Sequence, residues 1–187
     1  MTGILKIVIN HQQNNHFKCY QGRNNIIFVN LQKHIKMISK GETAPAFYGV
    51  DQNGIQIQSS DFKGKKVVLY FYPKDDTPGC TKEACNLRDN YELLLTKGYV
   101  IIGVSPDDEK SHKKFSEKFN LPFPLIADPD LSIIKSYGAW GKKNMYGKEY
   151  EGLIRTTFII NEEGIVEDII KKVKTDDHTN QIINLHA

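Results

Sequence analysis

The chain has 187 residues, enough for one domain with a substantial core. Hydrophobic residues make up 40% and charged residues 25%, an ordinary globular balance, and no apolar run approaches the roughly 20 residues that span a bilayer. The net charge of +3 is uneven: residues 1–36 hold five basic residues and no acid, so the rest of the chain gives no support to a nucleic-acid surface.

Residues 1–36 differ in kind from the remainder of the chain. They are rich in Asn, Gln and His and contain no proline. Their apolar runs, Leu5–Ile9 and Ile26–Val29, are too short for a secretory segment, and no small-residue cleavage site comes after either. A targeting peptide fits the basic charge but not the scarcity of Ser and Arg. We read 1–36 as an extension of upstream or disordered sequence, with Met37 as the natural initiator and no catalytic role for Cys19. Three unevenly placed cysteines do not make a secreted disulfide framework, which points to a reducing compartment such as the cytoplasm.

Residues 37–187 read as one domain. Ala46–Val50 and Ile55–Gln58, joined through Asp51-Gln-Asn-Gly54, predict a hairpin. Val67–Tyr72 is a continuous apolar run, the pattern of a buried strand. A helix comes next, from Pro78 to about Lys97, with Gly98 beyond its end. Then come a strand at Tyr99–Val104, a helix from Asp107 to about Phe119, a short strand at Phe123–Ala127 and a short helix at Leu131–Tyr137. Gly138 to Gly152 reads as a loop bordering the pocket, with Trp140 partly buried. Strands at Thr156–Ile160 and Ile165–Ile170 flank the turn Asn161-Glu-Glu-Gly164, and a last helix begins at His178. Alternating strands and helices predict an α/β fold with a central mixed sheet, helices on its faces and the hairpin at its N-terminal end.

The chemistry gathers at Pro73-Lys-Asp-Asp-Thr77-Pro-Gly-Cys80-Thr-Lys-Glu-Ala-Cys85. Thr77 suits an N-cap, Pro78 suits the first helical position, and Cys80 then falls at N3. The Thr77 hydroxyl is expected to accept a bond from a first-turn amide. A sulfur at a helix N-terminus meets unpaired N–H groups and the positive end of the dipole, which favour thiolate. At about 100° per residue, Ala84, Leu87, Tyr91, Leu94 and Leu95 share the face of Cys80, so that sulfur is predicted to be sheltered. Cys85 lies about 140° around, on the polar side. On an intact helix the two Cα atoms would be about 8–9 Å apart, beyond the roughly 7 Å a disulfide allows, so bridging them requires the first turns to unwind.

Other readings of these residues remain. Buried cysteines are often inert small hydrophobes. A zinc site wants four ligands, and His112 and His178 look isolated and solvent-facing. A Cys–His hydrolase lacks an evident histidine. Arg155 alone reads as a surface arginine and Thr77 alone as a helix cap.

The pattern Pro73-x-x-x-Thr77-x-x-Cys80 resembles the peroxidatic motif of peroxiredoxins, of the AhpC/TSA type. Cys85 five residues later is similar to the bacterioferritin comigratory protein, or peroxiredoxin Q, subfamily. The resemblance extends over residues 38–185 through Gly103-Val-Ser-Pro-Asp107, Phe123-Pro-Leu-Ile-Ala-Asp128, Tyr137-Gly-Ala-Trp-Gly141 and Arg155-Thr-Thr-Phe158. It implies a thioredoxin-like fold and a thiol peroxidase that uses no cofactor and no metal. It makes Cys80 the peroxidatic cysteine and Cys85 the resolving one, with Pro73, Thr77 and Arg155 completing the site. It further implies a Cys80–Cys85 disulfide, a hydroperoxide substrate, thioredoxin or glutaredoxin as reductant, and a monomer.

Overall fold

In the computed structural model the chain divides into two units, Met1–Ile35 and Lys36–Ala187. The described residues are 17–21, 26–30, 37–145 and 147–186. In the first unit β1 (Phe17–Gln21) pairs antiparallel with β2 (Ile26–Asn30). The apolar run at 5–9 and the side chain of Cys19 lie outside the described residues.

The second unit begins with the hairpin of β3 (Tyr48–Asp51) and β4 (Gln56–Gln58), whose turn places Gly54 at φ +75°. Next come β5 (Lys66–Phe71), α1 (Pro78–Asp89), α2 (Tyr91–Thr96), β6 (Tyr99–Ser105), α3 (Glu109–Phe119), β7 (Leu125–Ala127) and α4 (Ser132–Ser136). The hairpin of β8 (Trp140–Met145) and β9 (Lys148–Leu153), strands β10 (Thr156–Ile160) and β11 (Val166–Ile170), and α5 (His178–Ile183) complete it. Seven strands form one sheet in the order β11-β10-β5-β6-β7-β3-β4. β5, β6 and β7 run parallel, and the strands outside them pair antiparallel, so the sheet is mixed.

β5 sits at the centre and alternates between two cores. Val67, Leu69 and Phe71 face a cluster with Ile134, Tyr137 and Phe158. Val68, Tyr70 and Tyr72 face the other, built with side chains of α1, α2, α3 and α5. A strand buried on both faces must be apolar throughout, which is what its unbroken hydrophobic run encodes.

Three sequence expectations give way. The helix expected from Pro78 to Lys97 breaks at Asn90, at φ −114° and ψ 18°. The Asn86 carbonyl, which a continuing helix would offer to the Asn90 amide, instead accepts Asn90 Nδ2 at 2.8 Å and Thr179 Oγ1 at 3.2 Å. The break turns Leu95 outward, so it is exposed while Ala84, Leu87 and Leu94 are buried. The stretch 138–152 contains the β8–β9 hairpin rather than a loop, closed by Gly147 at φ +80°, whose amide bonds Asn144 Oδ1 at 3.0 Å. His112 and His178 do not face solvent: both are fully buried.

Candidate active site

Strand pairing brings together residues far apart in sequence. The β10–β5 register sets Thr156 opposite Phe71, so Arg155 lies beside the chain as it leaves β5. That chain passes half-buried Pro73 and reaches Thr77, the N-cap of α1, with Pro78 in the first turn and Cys80 two residues on. Cys80 is 1% exposed and packs with Tyr70, Tyr72, Ala84 and Leu87. Arg155 Nη2 lies 3.1 Å from its sulfur. A permanent cation thus stands on a sheltered sulfur in the first turn of a helix.

Thr77 departs from the expected cap. Its hydroxyl donates to the Lys74 carbonyl at 3.0 Å and makes no bond to the first turn of α1. The loop is closed on itself instead, and the amides of Gly79 and Cys80 donate no bond to the Thr77 side chain. Cys85 lies farther along α1, half-buried, and both cysteines are free thiols.

Glu83 is a site residue that the sequence reading missed. It is fully buried, and Arg155 Nη1 donates to its Oε2. Its other oxygen stands 3.2 Å from His178 Nδ1 without hydrogen-bond alignment, and His178 Nε2 lies 3.0 Å from Thr157 Oγ1. Burial pushes the Glu83 carboxyl up to about 7, against the opposing pull of Arg155. Burial, helped by the Arg155 charge, pushes His178 down to about 3, so its ring is neutral. A signal was present: Glu83, three residues after Cys80, sits about 60° from it on an otherwise apolar stripe. The structure therefore brings Arg155 to Cys80 and adds Glu83 on the same guanidinium, while Pro73 and Thr77 lie on the segment that leads into α1 and Cys85 lies farther along that helix. Among the described residues no group of His, Cys, Asp and Glu is arranged to hold a metal ion, and no helix is long and apolar enough to cross a membrane.

A buried cysteine beneath an arginine at a strand-to-helix turn on a mixed sheet fits a thiol peroxidase, and the AhpC/TSA family matches residues 40–169. The chain belongs to that family, with the thioredoxin fold of its members, and is a peroxiredoxin of the Bcp, or Q, type. It is 45% identical over 146 residues to peroxiredoxin Bcp of Bacillus subtilis, covering 78% of this chain and 93% of that one. It is 40% identical over 147 residues to peroxiredoxin Bcp of Escherichia coli, covering 79% and 94%. Among solved structures it is similar to the bacterioferritin comigratory protein of Xanthomonas campestris, with a TM-score of 0.70 at 35% identity, covering 74% of this chain and 88% of that one. A peroxiredoxin Q mutant from Xylella fastidiosa gives 0.75 at 28% identity, covering 80% and 96%.

Proposed function

We propose that the protein reduces hydrogen peroxide and organic hydroperoxides with Cys80 as the peroxidatic cysteine and Cys85 as the resolving one. The observation that carries this is the 3.1 Å approach of Arg155 Nη2 to the buried Cys80 sulfur at the start of α1. The Cys80 thiolate attacks the terminal oxygen of ROOH, and the O–O bond breaks. Cys80 becomes a sulfenic acid, and the RO⁻ that leaves takes up a proton to become ROH. Arg155 holds thiolate and peroxide together and carries the charge as it moves between oxygens. The Thr77 hydroxyl and the Cys80 amide steer the peroxide oxygens into line, and Pro73 limits water around the sulfur.

The Cys85 thiolate then attacks the Cys80 sulfur, a disulfide forms and hydroxide leaves as water. Five residues of helix separate the two sulfurs too far for this, so α1 unwinds first. A thioredoxin or glutaredoxin dithiol reduces the bridge, its two electrons returning both cysteines to thiols. The cycle needs one subunit and no cofactor, which fits a monomer in the reducing cytoplasm.

Stopped-flow mixing with hydrogen peroxide and with an alkyl hydroperoxide tests the first step, and consumption of NADPH through thioredoxin reductase and thioredoxin tests the cycle. Cys80→Ser loses the first oxidation. Cys85→Ser forms the sulfenic acid and stops before the internal disulfide. Wild-type oxidation no faster than that of free cysteine would overturn the reading.

A further inference from the structure

The segment between β5 and α1 that carries Pro73 and Thr77 is held from α3 by a buried polar cluster in which Asp75 is the hub. One oxygen of its carboxylate accepts the Tyr72 hydroxyl at 2.7 Å. The other accepts the Ser111 hydroxyl at 2.7 Å and stands 2.8 Å from His112 Nδ1. The Asp75 amide donates to Asp107 Oδ2 at 2.8 Å, and Ser105 Oγ donates to the same oxygen at 2.8 Å. Both the side chain and the backbone of one loop residue are therefore fastened, to Tyr72 just after β5, to Asp107 just after β6, and to α3.

His112 is itself fixed from both sides of its ring: Nε2 lies 3.2 Å from the Ile126 carbonyl and Nδ1 stands 2.8 Å from Asp75 Oδ2. The side chains of His112 and Asp75 are 0% and 4% exposed, so removing either leaves a buried polar group of the other without its partner. The next residue shows the same tethering in another form. Asp76 is held at φ +54°, a left-handed conformation few non-glycine residues adopt, and Lys118 Nζ grips both its carboxylate oxygens at 2.9 and 2.6 Å.

These tethers bracket the atoms that matter. Thr77 Oγ1 is oriented by the carbonyl of Lys74, the residue before Asp75, and Thr77 itself starts α1. We propose that Asp75, clamped by His112 and Ser111 of α3, is the positioning residue that fixes the Pro73–Thr77 loop in its peroxide-reactive shape. The inference rests on the peroxidase reading of Cys80. Asp75 and His112 touch neither sulfur nor peroxide. They act by holding Thr77 and Pro73 where the peroxide oxygens need them, and displacements near 1 Å at such positions cost about a hundredfold in rate.

The test compares two reactions of Cys80 in the folded protein. Peroxide oxidation requires the shaped loop, whereas alkylation by iodoacetamide requires only a reachable thiolate. His112→Gln and Asp75→Asn should lower the peroxide rate about tenfold to a hundredfold while alkylation stays within about twofold of wild type or rises. Ser111→Ala removes one bond at a half-buried position, keeps the fold if the buried variants lose it, and should lower the peroxide rate a few-fold. Ser111→Thr, which keeps the hydroxyl, should restore it. A folded Ser111→Ala or His112→Gln protein with the wild-type ratio of the two rates would overturn the positioning role. Wild-type protein slow with peroxide would overturn the peroxidase reading itself, which separates the two failures.

Discussion

Glu83 and His178 meet in the interior with Oε1 and Nδ1 3.2 Å apart and neither side chain exposed to water. Burial shifts the two groups in opposite senses, toward their neutral forms. Glu83 rises from an ordinary 4.5 to about 7, so between those values the folded protein holds a proton that the unfolded chain has released. Stability conferred by that proton is complete below 4.5 and is lost as pH rises through about 7. His178 falls from an ordinary 6.5 to about 3, so there the unfolded chain holds the extra proton. Its contribution is complete above 6.5 and is lost as pH falls through about 3.

Between about pH 4.5 and 6.5 the two slopes oppose each other, and the pair leaves stability nearly flat. Glu83→Gln removes one side of that balance, and stability should then rise with pH from about 3 to 6.5. His178→Gln removes the other, and stability should fall from about pH 4.5 to 7. Each unopposed slope approaches about 1.4 kcal/mol per pH unit. Urea unfolding across this range reads both, and two variants with the same pH dependence would refute the opposed shifts.

The distribution of what the sequence revealed has a physical cause. β5 was readable because a strand buried on both faces needs an unbroken apolar run, and the start of α1 was readable because Thr77 and Pro78 are local signals. The break at Asn90 was not: the Asn86 carbonyl is taken both by the Asn90 side chain and by Thr179, and the second partner comes from the far end of the chain. Arg155 and Cys80 are 75 positions apart, and only the register of β10 against β5 makes them neighbours. The peroxiredoxin resemblance named both residues without showing that contact. Glu83 was passed over and the two histidines were misjudged, because charge and polarity suggest solvent while their partners lie on other elements.

Arg155 serves Cys80 and Glu83 at once, one terminal nitrogen to each. A lysine ammonium keeps the charge but lacks the planar fork, so Arg155→Lys cannot hold both in the same geometry. The second-order rate of Cys80 oxidation by hydrogen peroxide should fall about 10²- to 10³-fold, the usual cost of losing a transition-state donor. Stopped-flow oxidation of the folded variant measures it. A drop of less than about threefold would mean that charge alone, without the fork, suffices.

Gly103 in β6 leaves room for the ring of Tyr70. A Cβ there would stand 2.7 Å from Leu125 Cδ2 and 2.8 Å from Tyr70 Cζ. Tyr70 is itself stacked on Tyr72, with ring centroids 5.4 Å apart, and both lie in the core that shelters Cys80. Gly103→Ala should therefore destabilise the protein by about 1–3 kcal/mol through overpacking. A lowered urea midpoint with an unchanged slope is the expected signature, and an unshifted midpoint would show that the core yields freely.

Asn86, next to Cys85, ties α1 to the start of α5. Its Oδ1 accepts the Thr179 amide at 2.8 Å, its Nδ2 donates to the Asp176 carbonyl at 3.0 Å, and its own carbonyl accepts Thr179 Oγ1 at 3.2 Å. Unwinding α1 far enough to join the cysteines strains or breaks these bonds, each worth about 1 kcal/mol. Thr179→Val keeps the side-chain volume and loses one bond, so the open form should gain about fivefold in population. Asn86→Ala loses both side-chain bonds and should exceed that. If opening limits disulfide formation, the second phase after peroxide addition quickens in that order, and less Cys80 advances to sulfinic acid at high peroxide. Amide exchange across 81–89 should rise with it while that of β5 holds, which distinguishes a loosened helix from a weakened fold. An unchanged second phase together with faster exchange in α1 would show that the chemistry between the two sulfurs, and not the unwinding, sets the pace.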